Sequence, residues 1–159
     1  MLDYGADGLI LEGSEAGGHI GPISSLVLLQ EVLFKVRDDV PVFVAGGIAT
    51  GKMVAHLMLM GAAGVQLGTR FVMAEECNVH PSFKEAFQKA RARDAIATPA
   101  FDSRLNVIPV RALNNKGMES FKDLQLDLLQ KLEKKEIRRL DAMYEVENFW
   151  IGALKRAAQ

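Results

Sequence analysis

Three short apolar runs, each stopped by glycine and separated from the next by a segment of helical period, constrain this chain more than any other feature. Gly8-Leu9-Ile10-Leu11 follows the turn-like Tyr4-Gly5-Ala6-Asp7 and suits a strand buried on both faces. Pro22 then opens a segment in which Leu26, Leu29, Val32, Leu33 and Val36 recur helically, predicting a helix over Ser24–Arg37. Pro41-Val42-Phe43-Val44-Ala45 is a second β-branched and aromatic run, stopped by Gly46-Gly47. Thr50 suits the N-cap of a helix over Gly51–Met60, and Gly61 its C′ position. A third run, Gly64-Val65-Gln66-Leu67, ends in Gly68-Thr69. The connections are too short for anything but parallel βαβ units. The fold class is therefore α/β.

Beyond residue 75 the texture changes, which predicts a division into residues 1–75, a set of βα units, and residues 76–159, a mostly helical region. Pro81–Arg93 reads as a charged helix, and Asp94–Arg111 has mixed polarity with no clear period. Ser120-Phe121-Lys122-Asp123 resembles a capping box for a long helix with Phe121, Leu124, Leu128 and Leu132 on one face. Between Lys122 and Glu145 six Lys/Arg face six Asp/Glu, the balance of a solvated helix surface. Tyr144, Phe149, Trp150 and Leu154 are expected to pack a final helix.

Composition narrows the function classes. A formal net charge of −1 gives no electrostatic reason to expect nucleic acid or an anionic membrane as partner. No uncharged apolar stretch approaches the ~18 residues of a transmembrane helix. The single cysteine, Cys77, rules out an internal disulfide framework and fits a reducing compartment. Without a basic n-region the N-terminus does not read as a signal peptide, so a cytoplasmic location is expected.

The glycines cluster just after the strands: Gly13, Gly17, Gly18 and Gly21, then Gly46 and Gly47, then Gly68. In parallel α/β folds that is the edge where ligands bind. Glycine there lets backbone approach a ligand or take positive φ. Amides at a following helix start then face an anion. Tight βα turns alone would explain any single one of them. As a set at matching positions, they point to a ligand.

Three segments carry a resemblance. EGSEAGGHIG (Glu12–Gly21), PVFVAGGIATG (Pro41–Gly51) and GAAGVQLGTRF (Gly61–Phe71) resemble, in order and spacing, the signatures of nitronate monooxygenases and of the FMN-dependent enoyl-acyl-carrier-protein reductase II. AEECNVHPSFKEAFQKAR and PVRALNNK resemble the region after the barrel in that family. The resemblance implies an enzyme whose fold is the C-terminal portion of a (β/α)8 TIM barrel with a helical post-barrel segment, and FMN as cofactor. Gly46, Gly47, Gly68 and Thr69 would hold the FMN phosphate, Gln66 and Leu67 would lie along the cofactor, and Glu12, Gly17 and Gly18 would sit beside the ring and ribityl chain. Glu12 departs from members that carry glutamine there. His19 matches the catalytic histidine.

A histidine in a glycine-rich loop can simply be solvated or cap a turn. Its position two residues past Gly17 favours catalysis, because imidazole takes or gives a proton near neutral pH. His56 falls mid-helix and reads as structural, and His80, before Pro81, as a helix cap. Arg70 could add charge near the phosphate or pair behind the loop. Met53, Met58 and Met60 read as core filler. No metal is expected, since the histidines lack ligand spacing and Cys77 has no second cysteine.

About three barrel strands are visible, whereas a closed barrel has eight and typically ~250 residues. The expectation is an incomplete barrel, a fragment of a larger enzyme. With open sheet edges it would be poorly soluble or form homo-oligomers when alone. Two small-molecule substrates compete: alkyl or propionate nitronates oxidised with O2, and an enoyl thioester reduced with NAD(P)H. A third reading, from another class, is an inactive fragment that serves only as a binding or assembly module.

Overall fold

The computed structural model describes residues 2–37 and 39–157, the side chains of Asp3 and of residues 153–157 excepted. It divides into two compact units, Met1–Ala74 and Glu75–Gln159.

The first unit runs β1 (Leu9–Glu12), α1 (Ser25–Leu33), β2 (Val42–Ala45), α2 (Gly51–Leu59), β3 (Gly64–Gln66) and α3 (Thr69–Val72). The strands pair in the order β1-β2-β3 and both pairings are parallel, as the short βα connections require. Register places Leu9 beside Val42 and Leu11 beside Val44, with Val65 next in that row. Period-2 alternation sends these residues to one face, where Leu11, Val42 and Val44 meet Leu29 of α1 and Leu57 of α2 in one core. Burying the strand and helix faces together is what keeps this unit folded.

The opposite face carries Ile10, Phe43 and Gly64, and Ile10 is 57% exposed. The expectation that Gly8–Leu11 is buried on both sides is corrected here. Both crossovers pass over the same side of the sheet, so the helices cover only one face. The arrangement is that of adjacent strands in a barrel wall, helices outside.

Helix ends follow local chemistry. The Ser24 side chain caps α1 by accepting from the Val27 amide at 3.4 Å, and Thr50 caps α2 by accepting from Met53 at 3.3 Å. At the C-terminus of α2 the Gly61 amide reaches Met58 O and the Ala62 amide reaches Leu57 O, a Schellman pair that needs the φ of +109° found at Gly61. His56 is exposed on α2, and Met58, at 52% exposure, is not core filler; Met53 and Met60 do pack on the core. A nine-residue helix on a sheet presents only one stripe inward.

The second unit contains α4 (Pro81–Lys89), β4 (Ala95–Ala97), β5 (Arg111–Leu113), α5 (Lys116–Glu133) and α6 (Arg139–Ala157). His80 Nδ1 caps α4 by accepting from the Ser82 amide at 3.2 Å. This helix stops short of the expected Arg93. Arg91 instead caps a separate 3-10 turn, Ala92–Asp94, whose last residue, Asp94, accepts from the Arg91 amide at 2.7 Å. The stretch without period holds β4, paired antiparallel with β5. Three-residue strands are too short to show alternation.

The expected capping box at Ser120 is corrected. Helix α5 starts a turn earlier, capped by Asn115, whose side chain accepts from the Met118 amide at 3.2 Å. Ser120 is interior and its hydroxyl donates to Lys116 O at 3.0 Å. Phe121 and Leu128 are buried, with Leu124 and Leu132 packed beside them. Phe121 meets the rings of Phe149 and Trp150 on α6 at centroid distances of 5.1 and 4.8 Å. Tyr144 does not join them and is 57% exposed. The Leu154 side chain lies outside the described residues.

If Asn115 is the cap, Asn115→Ala should cost about 1 kcal/mol of stability. Ser120→Ala should change it by no more than about 0.5 kcal/mol. Urea denaturation of the two variants checks this; equal losses would restore the later helix start.

Candidate functional site

Because β1, β2 and β3 are parallel, their C-terminal ends lie at one edge, and these strand ends with the segments that follow carry the catalytic and cofactor-binding residues expected from the sequence. The last row of the register is Glu12, Ala45 and Gln66. Glu12 and Gln66 are exposed, with the buried Ala45 between them. Leu67 is half-buried against the core, and Gly68 precedes Thr69, the first residue of α3. Thr69 and Arg70 are both exposed.

The loop after β1, Gly13–Ser24, folds back on itself. Its base is closed by the Ser14 amide donating to Ile23 O at 2.8 Å, and by the Ala16 and Gly21 amides donating to Gly13 O, both at 3.1 Å. Gly17, Gly18 and His19 form the exposed tip beyond these bonds.

The glycines fall into two groups. A Cβ on Gly13 would stand 2.4 Å from Ser25 N, and one on Gly21 would stand 2.8 Å from Glu12 O. Gly46, at φ +96°, would place one 2.8 Å from Glu15 O and 2.9 Å from Ala16 Cα. Gly47, at φ +69°, would meet Glu15 Cβ at 3.1 Å. The chain's own atoms thus account for these glycines: at Gly13 and Gly21 the β1 loop packs on itself and on the start of α1, and at Gly46 and Gly47 the β2 turn packs on Glu15 and on an Ala16 that is fully buried. The second group is Gly17, Gly18 and Gly68. No atom lies within 4 Å of a Cβ built on any of them, and none has positive φ. Among the described residues, none crowds a side chain there. Open space around a missing side chain, at strand ends, is the form of a cradle for something that approaches the backbone closely.

Sequence reasoning missed Glu15. Its Oε2 accepts from both the Ser25 amide and the Ser25 hydroxyl, each at 2.8 Å, at the start of α1. The Ser25 amide chiefly holds the Glu15 carboxyl below the ordinary glutamate range; burial opposes this, and the Ser25 hydroxyl adds to it. A capping box places its carboxylate three residues into the helix. Glu15 lies ten residues before Ser25, a spacing with no local signature.

Half-buried Cys77 is free, and among the described residues no group of three His, Cys, Asp or Glu could hold a metal. No helix among them is long and apolar enough to cross a membrane.

The chain is similar to several known proteins. The family model described as nitronate monooxygenase matches residues 1–148. A Rhodococcus jostii protein named (3aS,4S,5R,7aS)-5-hydroxy-7a-methyl-1-oxo-octahydro-1H-indene-4-carboxyl-CoA dehydrogenase is 37% identical over 120 residues, covering 76% of this chain and 32% of that protein. A probable nitronate monooxygenase of Staphylococcus aureus is 29% identical over 171 aligned positions, covering 97% of this chain and 46% of its own length. Among solved structures, FabK from Thermotoga maritima superposes with a TM-score of 0.75 at 34% identity, covering 99% of this chain and 44% of that one. The chain therefore spans less than half the length of each of these relatives.

Two measurements test the site's geometry without any ligand. Gly46→Ala should destabilise the first unit by at least the ~1–2 kcal/mol of a left-handed residue with a Cβ, whereas Gly68→Ala should be neutral within about 0.5 kcal/mol. Equal losses would remove the distinction between the two groups. The Ser25 amide NMR shift should titrate with a midpoint below 4.5, the ordinary glutamate value. Since the folded pKa is depressed, the interaction is intact above that value and is lost as pH falls through the folded midpoint. A midpoint at or above 4.5 would dissolve the Glu15–Ser25 pairing.

Proposed function

The chain belongs to the nitronate monooxygenase family, and from that premise we propose that it is the phosphate- and histidine-bearing part of an FMN-dependent oxidoreductase that oxidises alkyl or propionate nitronates with O2. The observation that carries this reading is the trio Gly17, Gly18 and Gly68. These residues lack side chains beside open space, with no internal reason to do so, on the loops after β1 and β3.

The residues present fit FMN. Gly46, Gly47, Gly68 and Thr69 would hold its phosphate through backbone amides and the Thr69 hydroxyl. Gln66 and Leu67 would line its length. Glu12, Gly17 and Gly18 would stand beside the ring and ribityl chain, Glu12 bringing a charge to the strand-end row it shares with Gln66. When bound, FMN supplies the redox chemistry of the reaction, and the protein supplies binding and orientation. His19, at the loop tip, would accept a proton from the substrate or, as imidazolium, stabilise the anionic nitronate. A cytoplasmic location belongs to the same proposal, supported by the single, unpaired Cys77.

A second reading, reduction of an enoyl thioester with NAD(P)H, is favoured by one observation: the 37% identical relative is named for a carboxyl-CoA substrate. Under it His19 would orient or protonate the acyl thioester.

Gly68 offers a cleaner test of the phosphate assignment than Gly47, because Gly47 is already constrained by positive φ and by Glu15. In the full-length enzyme of which this chain is a part, Gly68→Val should abolish FMN retention while leaving thermal stability in place. His19→Ala should keep the flavin and lose roughly 10²–10⁴-fold in turnover of propionate nitronate with O2. A yellow Gly68→Val protein would refute the phosphate site. Turnover of enoyl-CoA with NADH, and none of nitronate, would select the second reading.

A further inference from the structure

Glu15 and His19 are the two titratable side chains of the Gly13–Ser24 loop, and they stand in opposite situations. His19 is exposed at the tip. Glu15 touches two other parts of the site, the start of α1 and the Gly46–Gly47 turn. Its carboxylate oxygen takes both the amide and the hydroxyl proton of Ser25, the first residue of α1. The same Ser25 hydroxyl, 6% exposed as a residue, accepts from the Gly13 amide at 3.3 Å. A continuous run of bonds therefore joins the end of β1 to the start of α1 and finishes on Glu15. On its other flank, the Glu15 stem and carbonyl fill the space left by the missing side chains of Gly47 and Gly46.

We propose that Glu15 is a positioning residue: its carboxylate clamps the β1 loop between the start of α1 and the Gly46–Gly47 turn, and so sets where Gly17, Gly18 and His19 stand over the strand ends. The chemistry of the junction calls for a carboxylate. Two donors converge on a single oxygen at a helix N-terminus, where backbone amides lack intrahelical acceptors and negative charge is favoured. Gln keeps the length and one acceptor oxygen without the charge. Asp keeps the charge and falls one methylene short. The clamp stands on geometry alone, while its value for turnover rests on the function proposed above.

Amide hydrogen exchange on the purified chain tests the clamp without cofactor. Glu15→Ala should speed exchange across residues 14–24 by about tenfold, the effect of losing a helix-start cap, with peptides of β2 and α2 unchanged. Glu15→Gln should restore part of the protection, and Glu15→Asp less. In the flavin-loaded protein, assayed at saturating FMN, Glu15→Ala should lower kcat by about 10- to 100-fold, as expected when a catalytic group is misplaced, with KM nearly constant. If Glu15→Ala does not fold, Ser25→Ala, which removes only the hydroxyl limb, should still raise loop exchange by about threefold. Unchanged loop exchange, or an equal rise in β2 and α2, would overturn the clamp. Faster loop exchange with unchanged kcat would overturn the positioning role. Absence of nitronate turnover in the full-length enzyme would refute the proposed function, and the exchange data would still decide the clamp.

Discussion

Parallel pairing of three adjacent strands is the constraint on which the first unit depends. Strands that run the same way all end at the same edge, and each must be followed by a crossover. Both crossovers pass over one face, which buries Leu29 and Leu57 against Leu11, Val42 and Val44. With one face taken by helices and Ile10 left exposed on the other, chemistry is confined to the strand ends, where backbone leaves the ladder and side chains are free of the core.

At that edge glycine does two jobs that look identical in a sequence. At Gly13 and Gly21 the β1 loop packs on itself and on the start of α1, and at Gly46 and Gly47 the β2 turn packs on Glu15 and Ala16, so that no Cβ fits without a shift. At Gly17, Gly18 and Gly68 it leaves room that the protein does not fill. The first group builds a rigid floor, with Ala16 and Glu15 as its joints, and the second opens above it. A loop whose base is hydrogen-bonded and whose tip is exposed is well suited to hold a histidine at a fixed place while keeping it accessible.

The second unit follows different physics. Phe121, Phe149 and Trp150 form an aromatic cluster between α5 and α6. The buried Gln125 holds the Pro99–Phe101 segment through its amide, donating to Pro99 O at 2.9 Å and accepting from the Phe101 amide at 3.3 Å. Asp102 is held down to about 2 by Arg104, which donates to it from both side chain and backbone. These are satisfied polar contacts around an apolar centre, and they contribute order to segments with no regular period.

The sequence by itself determined the order and direction of the βα units, the caps at Thr50 and His80, the apolar stripe of α5 and the family. Each of these rests on local periodicity, on a residue type with one conformational use, or on motifs kept in order. It also marked the strand-end glycines as a set. Only the tertiary structure decided which of them serve packing and which leave space, because that depends on atoms brought close by folding, such as Glu15 and Ala16 against a Gly46 distant in sequence. It decided that Asn115, not Ser120, starts α5, since both residue types cap well and only the path of the chain selects one. It set Tyr144 in solvent and Phe149 on Phe121, a choice made by the angle of α6. And it drew Glu15 onto the Ser25 amide, because a carboxylate ten residues from a helix start finds it only after the loop has folded back.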